Sequence, residues 1–192
     1  VMNRVRQWVV QALDLSQERR CIIDSLPVPV VQYHLVPEAS REWRIHEATF
    51  GYISSKHITI FGYKLHLLIT LSGVILDFEL APANLTDLTV GTELLAEHIE
   101  LIVYGDKGYV SAEVAAELFT RGQVQLLTLP RSNQKRSIPA AIRHTFNAVR
   151  QMIETVNGQL TEQFHLEHNH AHTFQGLCAR LYTKLTAHTL CL

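Results

Sequence analysis

Three acidic residues stand apart from the other carboxylates of this sequence. Asp24 closes the apolar run Cys21-Ile22-Ile23, and Asp106 follows Leu101-Ile102-Val103 with Gly105 and Gly108 on either side. Glu154 lies on the polar flank of a long amphipathic stretch. Gathered into one cleft, three hard oxygen donors would repel one another unless cations neutralised them. Two Mg²⁺ ions ~3.5–4 Å apart can activate a nucleophile and stabilise a leaving oxygen in phosphoryl transfer. The residue types leave a second reading open, because an Asp between glycines also serves as a turn residue that bonds its own backbone.

The elements that would position these groups follow from hydrophobic spacing. Leu101–Val103 and Cys21–Ile23 read as short buried strands, and each ends in a carboxylate. Gly105 and Gly108 are expected to supply a tight, positive-φ backbone where the second strand stops. Pro27 and Pro29 are expected to end pairing soon after Asp24. Residues 33–49 show no clean period and read as a long loop open to a ligand. Residues 57–80 carry a hairpin with its turn at Ser72-Gly73, and Asp77 and Glu79 fall on its wetter face as solvated carboxylates. Thr86 or Asp87 caps a helix to about His98, and Ser111 caps another that Gly122 ends. A strand follows over Gln125–Leu129. Ile142, Phe146, Val149, Ile153, Val156, Leu160 and Phe164 then recur at helical spacing, with Arg143, Asn147, Arg150, Glu154 and Thr161 flanking them. Arg150 and Glu154, four apart, are neighbours on one face. A last helix covers about Phe174–Leu190, and a first one about Asn3–Leu15. This order implies an α/β fold with a mixed central sheet flanked by helices.

Bulk properties limit the function classes. The chain has 192 residues, 47% hydrophobic and 18% charged, which suits a single folded core. No apolar run approaches the roughly 20 residues of a membrane helix. Three widely spaced cysteines suggest a reducing compartment and no disulfide framework. The formal net charge is −1, so any contact with nucleic acid must rest on local basic patches. The basic stretch Arg131-Ser132-Asn133-Gln134-Lys135-Arg136 reads either as a solvated connection or as a phosphate-backbone contact. His165, His168, His170 and His172 are spaced as zinc ligands could be, although a polar loop without a nearby cysteine accounts for them as well.

Four stretches together resemble a known family. They are Cys21-Ile22-Ile23-Asp24-Ser25-Leu26-Pro27-Val28-Pro29, Phe61-Gly62-Tyr63-Lys64-Leu65-His66, Tyr104-Gly105-Asp106-Lys107-Gly108-Tyr109, and Ile153-Glu154-Thr155-Val156 with Gln159-Leu160. In this order they resemble the DDE transposases of bacterial insertion sequences, whose catalytic domain has a ribonuclease H-like fold. The resemblance implies that Asp24, Asp106 and Glu154 are the catalytic, metal-ligating triad for two Mg²⁺ ions, with Mn²⁺ as a substitute. It implies 3′-end nicking and strand transfer, with element ends and target as DNA partners and a homodimer as the active complex. A bacterial cytoplasmic, nucleoid-associated location follows from it, with no membrane partner.

Lys56, Lys64, Lys107, Arg131, Lys135, Arg136 and Arg150 are the expected DNA contacts. Asn147 and Thr161 stand where related transposases carry Tyr and Lys, a departure that bears on this helix's DNA contacts. Residues 1–19 are expected to form an N-terminal helix, the remnant of a preceding DNA-binding domain, and residues 20–192 the catalytic domain. A non-catalytic DNA- or protein-binding module and a metal-dependent nuclease on the same fold are the alternatives.

Overall fold

The structure is a computed structural model that describes residues 2–12, 14, 17–128, 140–168 and 170–192, with the backbone alone for 140–143. Six strands form one sheet: β1 (Arg20–Val31), β2 (Thr49–Ile53), β3 (Ile58–Thr70), β4 (Ile75–Pro82), β5 (Ile102–Gly105) and β6 (Gln125–Thr128). The order is β2-β3-β1-β5-β6. On one edge of the long β3, β2 pairs with its first residues and β4 with the remainder, while β1 pairs antiparallel along the other edge. β1, β5 and β6 run parallel. The mixed α/β sheet expected from the sequence is present.

Helices cover both faces, and strand alternation explains how each face is greased. Ile22, Leu65, Leu67 and Ile69 join one core with Val149, Ile153 and Val156 of α5 (Ala140–Gly158) and Leu177, Leu181 and Leu185 of α6 (Phe174–Leu190). Their chain neighbours Cys21, Ile23 and Leu68 point the other way. They join Val103, Leu94 and Leu95 of α3 (Asp87–Ala96), and Leu118 of α4 (Ala112–Gly122). A strand buried on both faces reads as a continuous apolar run, as β3 does.

Several local expectations are corrected. β1 does not stop after Asp24: it stays paired with β3 through Pro27↔Lys64 and Pro29↔Gly62 and meets an irregularity only between Pro29 and Val31. The two prolines share a parity, so both missing N–H groups face one edge, and among the described residues only the β3 edge of β1 has a strand partner past Ile23. Residues 33–49 are not a long loop. They hold a 3₁₀ turn (Tyr33–Glu38) and a short helix, α2 (Arg41–Ile45), which Ser40 caps and buried Trp43 anchors. Neither Gly105 nor Gly108 has positive φ. After α4 the left-handed residue is Gln123, not Gly122; glycine at 122 serves close approach instead, since a Cβ there would lie 2.7 Å from the His98 carbonyl oxygen. Glu79 is exposed, whereas Asp77 is half-buried and accepts from His98 Nε2 at 3.1 Å. The Arg131–Arg136 stretch lies outside the described residues.

The first helix, α1 (Met2–Ala12), packs on α6, and Thr186 donates to the Met2 carbonyl. Arg6 ties it to the sheet. Its side chain is buried, donates to the carbonyls of Ile75 and Leu76, and lays its guanidinium 5.2 Å from the Phe78 ring centroid. Arg6→Ala would remove these bonds and leave two β4 carbonyls short of a donor. It is expected to lower the unfolding free energy by about 3 kcal/mol, read from urea denaturation at neutral pH.

Candidate active site

The geometry of the site begins with strand register. β1 and β5 pair in parallel from Arg20↔Ile102 to Ile23↔Gly105. The next residues on the two chains are Asp24 and Asp106, and adjacent strands lie ~4.8 Å apart. Two carboxylates are therefore set side by side at the carboxyl end of β5, the end of an open sheet where α/β proteins bind ligands.

Asp106 turns the chain. Its Oδ1 accepts from the Gly108 backbone N–H at 2.6 Å and caps the short 3₁₀ turn Lys107–Tyr109. The backbone-bonding reading of this Asp is thus realised, on one oxygen only. Among the described residues Oδ2 has no hydrogen bond. A Cβ on Gly108 would stand 2.9 Å from Asp106 Oδ1 and 3.4 Å from Asp87 Oδ2, so glycine is needed there for close approach.

Asp24 points to the α5 side, as Ile22 does, and accepts from Asn157 Nδ2 of α5 at 2.8 Å. Burial pushes the Asp24 carboxyl up to about 6. The charges of Asp106 and Asp87 push the same way, while the Ser25 N–H and Asn157 oppose them. No Lys, Arg or His among the described residues forms an ion pair with Asp24 or Asp106.

On the other face stands a polar cluster that the sequence reading missed. Asp87 Oδ1 accepts from Lys64 Nζ at 2.6 Å and from Ser25 Oγ at 3.2 Å. Behind it, Tyr109 is buried with its hydroxyl 3.5 Å from His66 Nδ1. Burial, reinforced by Asp24, Asp87 and Asp106, holds that phenol protonated. Burial likewise pushes His66 down to about 4, so the imidazole is neutral. The signal in the sequence was strand parity: Lys64 and His66 share a face with Leu68, which is a core position. Of the two cap candidates Thr86 takes the role, accepting from the Thr89 N–H, and Asp87 faces this cluster instead.

The remaining expected residues fall as follows. Glu154 is exposed on α5, one turn before Asn157, and accepts from Arg150 Nε at 2.9 Å. The structure does not bring it into contact with the Asp24–Asp106 pair, and among the described residues no three His, Cys, Asp or Glu side chains form a ready cation cage. Lys64 is nearly buried and held by Asp87, and Lys56 is held by Glu167. Lys107 is exposed beside Asp106. Arg131, Lys135 and Arg136 lie outside the described residues. His170 and His172, with Val30, Gln32, Leu35 and Trp43, line an open cleft of about 640 Å³ away from the acidic pair. All three cysteines are free, and no described helix is long and apolar enough to cross a membrane.

The family model described as transposase DDE domain matches residues 18–174, which include all three acids. The chain belongs to that family. A search of curated proteins found no match. As a transposase DDE domain with a ribonuclease H-like α/β fold, it belongs to a group of polynucleotidyl transferases that act on DNA and generally use divalent metals.

The donor set of this transposase domain fits a hard divalent cation. Asp24 and Asp106 offer carboxylate oxygens without a cationic partner, and Asn157 Oδ1 is buried without a hydrogen-bond partner among the described residues.

Two outcomes follow. Lys64→Met leaves Asp87 uncompensated beside two other acids and is expected to cost about 2–3 kcal/mol in chemical denaturation, whereas Lys107→Met stays within about 0.5 kcal/mol. For Asp24 the folded carboxyl holds its proton more tightly than the unfolded one. Its contribution to stability is therefore fully present below pH ~4 and is lost as pH rises through about 6. In metal-free protein Asp24→Asn should gain on the parent by on the order of 2 kcal/mol between pH 4 and 7.5, measured by denaturation at each pH.

Proposed function

We propose that this chain is the catalytic domain of an insertion-sequence transposase that nicks DNA at the element's 3′ end and joins the freed 3′-hydroxyl to target DNA. The observation that carries this reading is the adjacency of Asp24, within β1, and Asp106, the residue just past the end of β5, on neighbouring parallel strands inside the region matched by the family. Asp24 and Asp106 serve as the first two metal ligands, and Glu154 as the third. Bound Mg²⁺ or Mn²⁺, two ions in the full site, would supply nucleophile activation and charge stabilisation for in-line phosphoryl transfer.

The protein's own part is to hold acceptors in place. Asp24 is held by Asn157, and Asp106 by the Gly108 N–H. Glu154 must leave Arg150 to join them. An exposed pair four residues apart on a helix is worth about 0.5 kcal/mol or less, so the exchange costs little. Arg150, once released, sits one turn from Glu154 on the solvent face and is free to meet a phosphate. Lys107 projects beside Asp106 and takes the same role. Lys56, Arg131, Lys135 and Arg136 remain proposed phosphate contacts, whereas Lys64 acts inward, on Asp87. Dimerisation on paired element ends belongs to this reading.

Incubation of supercoiled DNA with Mg²⁺ or Mn²⁺ tests it. Nicked product is expected, and Asp24→Asn, Asp106→Asn and Glu154→Gln should each lower its rate at least about 100-fold with the circular-dichroism spectrum unchanged. Unchanged nicking by any one variant removes that residue from the site. Nicking without joined products on an end-bearing substrate would make the protein a nuclease. DNA binding without any nicking would make it a non-catalytic module.

A further inference from the structure

The residue of α5 that reaches the acidic pair in this structure is not Glu154 but Asn157. The two lie on neighbouring positions of one helix face, and Val156 and Leu160 on either side of Asn157 are buried, so the helix cannot rotate without breaking its core. Asn157 presents its NH₂ to Asp24 Oδ2, as it must, since an ionised carboxylate only accepts. That leaves the amide oxygen, which is buried and has no partner among the described residues. A buried acceptor left without a donor is costly, and such groups in native structures call for a cause. The oxygen belongs to the same side chain that grips the first carboxylate, so the simplest cause is a donor that arrives with a ligand at that carboxylate.

We propose that Asn157 is a positioning residue of the cation site: its Nδ2 fixes Asp24 Oδ2, and its Oδ1 accepts a hydrogen bond from water carried by a divalent cation bound at the Asp24–Asp106 pair. The inference rests on the active-site reading above and adds a residue to it. It also explains how the site tolerates Glu154 standing outside: α5 is already attached to β1 through Asn157, 133 residues along the chain from Asp24. Partners that orient metal ligands typically change affinity 10–100-fold when removed.

The test is Mn²⁺ binding to the intact chain without DNA, followed by the electron paramagnetic resonance signal of free Mn²⁺. The parent and Asn157→Leu, which keeps size and removes both polar atoms, are compared. Asn157→Ala is the second variant should Leu disturb packing, and Thr155→Val, at an exposed position of α5, controls for general effects on the helix. Affinity is expected to fall at least about 10-fold in both Asn157 variants and to be unchanged in Thr155→Val. Asp24→Asn should weaken binding at least as much, marking the same site. Parent-like affinity in either folded Asn157 variant overturns the proposal and leaves the active-site reading standing. Failure of the parent itself to bind Mn²⁺ strikes that reading first, and the role of Asn157 with it.

Discussion

Everything at this site depends on the parallel register of two strands. With Ile23 opposite Gly105, the next residue on each chain is an aspartate. Like charges are pressed together at the point where the sheet stops covering them. The cost appears in Asp24, whose carboxyl is pushed up to about 6 chiefly by burial and further by Asp106 and Asp87. A one-residue slip would turn Asp24 to the other face and send Ile23 out of its core. The apolar packing of Ile22 and Ile23 on opposite faces thus holds the acids in place.

Around this pair the polar groups are organised by face. On the α3 side, Lys64 and Ser25 occupy one oxygen of Asp87, and Tyr109 with His66 fills the space behind in uncharged form. On the α5 side a neutral amide meets Asp24, and Arg150 is paired with Glu154 at the surface. Among the described residues, Lys64 and Arg150 are thus paired with other acids, and no cation forms an ion pair with Asp24 or Asp106. A pocket arranged in this way keeps its negative potential for an incoming cation. The overall charge of −1 agrees with that economy of local cations.

Much of this was legible before any coordinates. Alternation and helical periodicity located the hairpin, the strand before Asp106 and the long helix, because one-sided burial imposes a period on the chain. The stripe Val149, Ile153, Val156 and Leu160 is buried as the spacing requires. Where the reading erred, a neighbour decided the outcome. Prolines persist in β1 because, among the described residues, one edge has no strand partner beyond Ile23, and residues 33–49 fold into short helices around Trp43. Neither fact is local in sequence. The interior polar cluster was missed for a similar reason: Lys64 in a strand looks like surface charge until the strand is covered on both faces.

The sequence by itself determined the class of fold and the strand ending before Asp106, since that ending and its glycines are written in adjacent residues, and it singled out Asp24 although β1 runs on past it. Only the tertiary structure decided which other side chains surround those aspartates. Asp87, Lys64 and Asn157 come from a helix start, a hairpin and a distant helix, and Glu154 faces solvent one turn from Asn157. Contacts across 62 residues, as from Ser25 to Asp87, or 133, as from Asp24 to Asn157, leave no mark in local composition. They exist because two cores, one on each face of the sheet, fix where every element's polar flank must point.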